Sequence, residues 1–259
     1  MDLQQPRSAR PTTPPPPTDG RRTARAARTF LRRRWRSSAW GASLAVLAAL
    51  AGCGTPAPRP GTEAAPTAAD RDFGYSEGSV TATQVGAACE VHWQGVLHAD
   101  AVPRLRQALD AVDRQRCESR TLVLGALDGA VGDAITVGAM VRNRGWDTAL
   151  PPGGLCRTPC WLVFAAGAQR HMADGPTAAR VVFSQIPPDA DFGHQTCATE
   201  LSRAQQLTLT RYLRAMLPPP TATAVYQKLL AADCLSAEAY GPQQAQLIGL
   251  ATATSGSPP

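Results

Sequence analysis

Seven cysteines and four histidines carry the most reactive side chains of this 259-residue chain. Cys89, Cys117, Cys156, Cys160, Cys197 and Cys234 are spread over the last two thirds of the chain, and Cys53 stands apart at the end of an apolar run. In an exported chain, six cysteines read as disulfides. Zinc is the alternative reading. Cys156 and Cys160 are separated by three residues, and no neighbouring histidine completes a ligand set of ordinary spacing. No metal is therefore expected, and no nucleotide loop or cofactor motif is visible. His92 and His98 flank a predicted strand without a partner pattern. His171 and His194 read as exposed loop histidines. Trp93, Trp146 and Trp161 could line a pocket, although core packing is the commoner use of tryptophan. Thr158-Pro159 precedes an apolar run, which predicts a threonine N-cap with proline at the first helical position.

The first 52 residues explain why export is expected. Arg21, Arg22, Arg25, Arg28, Arg32, Arg33, Arg34 and Arg36 precede the apolar run AWGASLAVLAALA, Ala39 to Ala51. That run is shorter than the roughly 20 residues a spanning helix needs. Basic region, short apolar region and small residues together predict a secretory signal. The leader is long before its apolar run, which a start codon placed too far upstream would explain.

Leu50-Ala51-Gly52-Cys53 resembles the bacterial lipobox. The resemblance implies cleavage before Cys53 and attachment of acyl chains to it, anchoring the chain to a membrane. One acyl chain binds marginally, whereas two or more hold stably. Gly54, rather than an aspartate, favours onward sorting to the outer membrane, with the protein facing the periplasm.

Charge excludes one class of partner. The formal net charge is +6, from 26 basic and 20 acidic residues. Ten arginines and two acids lie within residues 1–52, so 16 basic and 18 acidic residues remain from Cys53 onward, a balance of −2. The basic character belongs to the leader, and a nucleic-acid surface is not expected.

Stepping from Cys53, residues 53–86 are rich in Pro, Ala, Thr and Gly and predict a disordered tether. Residues 87–250 carry the folded domain, and 251–259 read as a frayed tail. Within the domain, Cys89–Val96 predicts a strand. Asp100 caps a helix over 101–115 with Val102, Leu105, Leu109 and Val112 inward. Thr121–Leu124 is of buried-strand type. Helices follow at 131–143, 159–168, 199–217, 221–232 and 242–247, with strands at 147–150 and 180–185. Alternating strands and helices imply an α/β fold with parallel pairing.

The order of segments resembles the Clp-protease/crotonase fold, in its branch of secreted serine-peptidase relatives. The motifs that carry it are Gly95-Val96-Leu97, then Leu124-Gly125-Ala126-Leu127-Asp128-Gly129-Ala130-Val131, then Cys156-Arg157-Thr158-Pro159-Cys160, and finally Val181-Val182-Phe183-Ser184-Gln185. Ile248-Gly249-Leu250-Ala251-Thr252 fits the family's last helix. The resemblance implies repeated β-α units with a helical C-terminal part.

It also assigns positions for acyl chemistry, which needs an activated hydroxyl, a base and N–H donors for the oxyanion. The nucleophile position holds Thr158. The base position holds Ser184, which cannot take a proton near neutral pH. His194-Gln195 is an alternative base that another loop alignment would supply. One oxyanion donor would be the N–H after the nucleophile, where Pro159 has none. The paired glycines of the other donor are reduced to Gly129, preceded by Asp128, whose carboxylate opposes a developing oxyanion. A non-catalytic domain is therefore expected.

From the same layout the expected disulfides are Cys89–Cys117, Cys156–Cys160 and Cys197–Cys234, although fifteen pairings are open to six cysteines. Three functions compete: a lipid-anchored envelope protein whose crevice binds a peptide or partner protein, a weak hydrolase using Thr158 with His194, and a structural subunit of an oligomeric assembly.

Overall fold

The computed structural model describes residues 71–186, 201–232 and 236–256. All of them lie in one compact unit, Pro58–Pro259. Cys53, His194, Cys197 and Cys234 fall outside the described residues.

The class is the α/β class expected. Strands β1 (Arg71–Asp72), β2 (Gly78–Val85) and β3 (Ala88–Leu97) run antiparallel in turn. From β3 the sheet continues in parallel through β4 (Ser119–Gly129), β5 (Asp147–Leu150), β7 (Arg170–Asp174) and β10 (Ala253–Gly256). Its order is β1-β2-β3-β4-β5-β7-β10. A second sheet holds β6 (Leu155–Cys156), β8 (Arg180–Phe183) and β9 (Glu238–Tyr240) in the order β6-β8-β9.

The helices are α1 (Ala101–Asp113), α2 (Val131–Arg144), α3 (Cys160–Ala165), α4 (Arg203–Met216), α5 (Pro219–Ala231) and α6 (Pro242–Leu247). Helix α1 forms because Leu105, Leu109 and Val112 recur at helical spacing, and all three are buried. It packs on β2 and β3. Helix α4 opens with a full capping box: Gln205 N–H donates to the Ser202 hydroxyl, and the Gln205 side chain accepts from the Ser202 N–H. Trp93, Trp146 and Trp161 are all buried in the core.

Two predicted boundaries move. The tether expected over 53–86 already contains β1 and β2. Val80 and Ala82 are buried while Ser79, Thr81 and Thr83 between and beside them are only partly so, and β2 alternates there as a half-buried strand does. It pairs with β3 along its whole length, from Gly78 opposite Gly95 to Val85 opposite Ala88. The tail expected from 251 instead supplies β10, which pairs in parallel with β7. Residues 248–252 do not close as a helix. Helix α6 stops at Leu247, and Gly249 takes a left-handed φ of 76° that turns the chain toward β10. Helix α3 is also shorter than the expected 159–168, and β7 follows it where no strand was expected.

Candidate functional site

The segment that joins β6 to α3 carries Thr158. Cys156 and Cys160 are joined by a disulfide across it, with 5.2 Å between their Cα atoms, and both are fully buried. The bridge closes a short loop around Arg157, Thr158 and Pro159, with a cis Thr158–Pro159 peptide.

Thr158 is not a helix cap. The N-cap of α3 is Pro159, and no side chain caps it. The threonine hydroxyl is spent elsewhere. It accepts from the indole N–H of Trp161 at 2.9 Å and donates to the backbone carbonyl of Ser184 at 3.0 Å. Thr158 is 2 % exposed. Trp161 meets Phe183 in a tilted contact and Phe183 meets Tyr240 edge-on, with ring centroids 5.4 and 5.3 Å apart. A buried hydroxyl whose proton is held by a carbonyl is a structural hydrogen bond, here between the segment before α3 and the residue after β8.

Ser184 takes part through its main-chain oxygen. Its hydroxyl side chain is no proton acceptor at neutral pH. The residue after Thr158 is Pro159, so that position offers no N–H.

The second donor position lies where β4 runs into α2. Gly129 has a φ of 123° and sits against Leu97, so a Cβ there would run into the Leu97 carbonyl. Its N–H donates to the carboxylate of Asp128 at 2.8 Å, and the N–H of Ala130 donates to the Leu97 carbonyl at 2.8 Å. Both backbone donors are therefore engaged, one of them by a negative charge. Helix α2, which starts here, packs against α3.

The three described histidines have other partners or places. His92 pairs with Glu90 at 2.8 Å, and His98 pairs with Glu77 at 3.1 Å. His171 is not in a loop: it is a partly buried residue of β7, opposite Ala149 and Ala253.

The two expected bridges within the described residues are present. Cys89–Cys117 ties β3 to the segment after α1, with 5.7 Å between Cα atoms. The sequence reading missed two polar contacts that hold this region. Tyr212 of α4 donates to the Leu162 carbonyl of α3 at 2.7 Å, and full burial pushes its phenol far up from the usual tyrosine range. Arg170 is 5 % exposed, and among the described residues it has no ion pair. Its guanidinium donates to the carbonyls of Leu250 at 2.7 Å, Gly167 at 3.0 Å and Gly249 at 3.3 Å. Burial, and secondarily the charge of Arg142, hold it below the usual arginine range. A lone arginine in a polar-looking stretch gives no hint of such burial.

No family model matches this chain, and no curated protein matches it. Solved structures do. An enoyl-CoA hydratase from Mycobacterium marinum is 16 % identical with a TM-score of 0.45, over 68 % of this chain and 76 % of that one. A membrane-bound stomatin-specific protease is 10 % identical with a TM-score of 0.48, over 64 % and 77 %. A methylmalonyl-CoA decarboxylase is 11 % identical with a TM-score of 0.47, over 71 % of this chain and 69 % of that one.

Proposed function

We propose that this chain is a bacterial envelope lipoprotein, acylated at Cys53, whose domain keeps a Clp-protease/crotonase-like scaffold without its acyl-transfer chemistry and serves in binding or structure. The observation that carries the reading is the Thr158 hydroxyl. It is buried, it gives its proton to the Ser184 carbonyl, and it is followed by a residue with no N–H.

Acyl transfer needs three parts together. A nucleophile must be reachable, a base must take its proton, and donors must meet the oxyanion. Loss of one such donor costs about 2.7–4 kcal/mol of transition-state stabilisation. The Gly129 N–H, the second donor position by resemblance, is already taken by the Asp128 carboxylate, whose charge would oppose an oxyanion there. The basic leader and the apolar run ending at Cys53 support anchoring, and sorting to the outer membrane follows from Gly54.

The two halves of the reading are tested apart. Cells fed labelled palmitate should incorporate it into the chain and not into a Cys53→Ala variant. A fluorophosphonate probe should leave the unit Pro58–Pro259 unmodified. Modification abolished by Thr158→Ala would establish a working hydroxyl and overturn the inert-site half, whatever the outcome for Cys53.

A further inference from the structure

A groove of about 550 Å³ opens between β1 and α1, lined by Arg71, Asp72, Phe73, Gln107, Asp110, Ala111 and Arg114. Its volume lies within the range of about 300–1,000 Å³ usual for ligand sites. Phe73 and Ala111 supply an apolar floor. The charges around that floor are not alike. Asp110 is held by Arg144 at 2.6 Å. Arg71, Asp72 and Arg114 have no ion pair or side-chain hydrogen bond among the described residues. Among the described residues, two unpaired guanidinium groups and one unpaired carboxylate therefore line the groove.

The backbone adds a second feature. β1 ends the order of its sheet, so among the described residues it has a partner strand on one side only. An edge strand beside an apolar floor suits a chain that adds as a further strand, placing alternate side chains in the groove. Apolar side chains suit the floor, and the excess positive charge around it selects acidic residues at the positions between.

We propose that the groove between β1 and α1 binds an extended peptide that alternates apolar and acidic residues. The site lies apart from Thr158 and does not depend on the reading of that residue.

The test is fluorescence anisotropy of a labelled octapeptide alternating Glu and Leu, titrated with the unit Pro58–Pro259. Saturable binding is expected, lost for a Lys and Leu peptide of the same length. The double variant Arg71→Glu and Arg114→Glu should weaken it roughly tenfold. Both side chains are exposed, so the variant should keep the parent's circular dichroism. No saturation at about 1 mM protein, or equal binding by the double variant, would overturn the proposal. So would loss of vesicle retention in the double variant on phosphatidylglycerol bilayers without any peptide binding, which would assign the guanidinium pair to a membrane surface. Thr158→Ser should bind the octapeptide as the parent does, so failure here leaves the inert-site reading standing.

Discussion

The Thr158 hydroxyl reaches the backbone oxygen of Ser184 at 3.0 Å, so the side chain before α3 meets the chain after β8 through a main-chain carbonyl. The side chain of one serves to hold the fold of the other. Trp161 completes the arrangement from the opposite side at 2.9 Å.

That relationship sets a stability test. Thr158→Val keeps the shape and removes the hydroxyl, leaving the buried Trp161 N–H and the Ser184 carbonyl without their partner. A loss of about 1–3 kcal/mol is expected in chemical denaturation. Thr158→Ser keeps both bonds and should lose less than half as much. Equal stability of Thr158→Val and the parent would show that the hydroxyl bonds nothing.

The packing of α4 against α2 depends on a missing side chain. A Cβ on Gly138 would collide with the Tyr212 hydroxyl. Gly138→Ala should therefore cost about 1–3 kcal/mol despite the better helix propensity of alanine. Tyr212→Phe removes the colliding oxygen, and a double-mutant cycle should recover part of the loss. Strict additivity of the two changes would contradict the packing.

Arg170 clamps the C-terminal segment through three carbonyls, those of Gly167, Gly249 and Leu250. Arg170→Met should leave those buried acceptors unpaired and cost at least about 2 kcal/mol. Amide exchange of β10 should quicken more than that of β3, because β10 pairs with β7 beside the arginine. Uniform exchange across both strands would place the stabilising effect elsewhere.

The two bridges differ in loop length, 28 residues for Cys89–Cys117 and 4 for Cys156–Cys160. Loop-closure entropy then makes the first worth about 3.5 kcal/mol and the second about 2 kcal/mol. Paired Cys→Ala variants, compared by denaturant midpoint, should fall in that order. The reverse order would mean that the short bridge holds the Thr158 segment through more than chain entropy.

Large apolar residues made much of this fold legible. Leu105, Leu109 and Val112 mark α1, and Leu122 and Leu124 mark β4, because each repeats at the period of its element. β2 stayed hidden among Thr, Ala and Gly, where only Val80 and Ala82 keep the alternation that a strand requires. β7 and β10 were hidden more deeply. RHMAD places an arginine inward, and ATSG has no large apolar residue, so both depend on partners that are distant in the chain. The candidate site was legible as a set of positions. The cap expected at Thr158 failed because local spacing cannot reveal that Trp161 and the chain after β8 both bond the same hydroxyl.

The most direct test is hydrolysis of a p-nitrophenyl ester and of an acyl thioester by the oxidised unit Pro58–Pro259, set against Thr158→Val. Both proteins should match the buffer rate within error, and the variant should differ in stability alone. Turnover by the parent that disappears in Thr158→Val, while the variant remains folded, would contradict the account of a buried and committed hydroxyl.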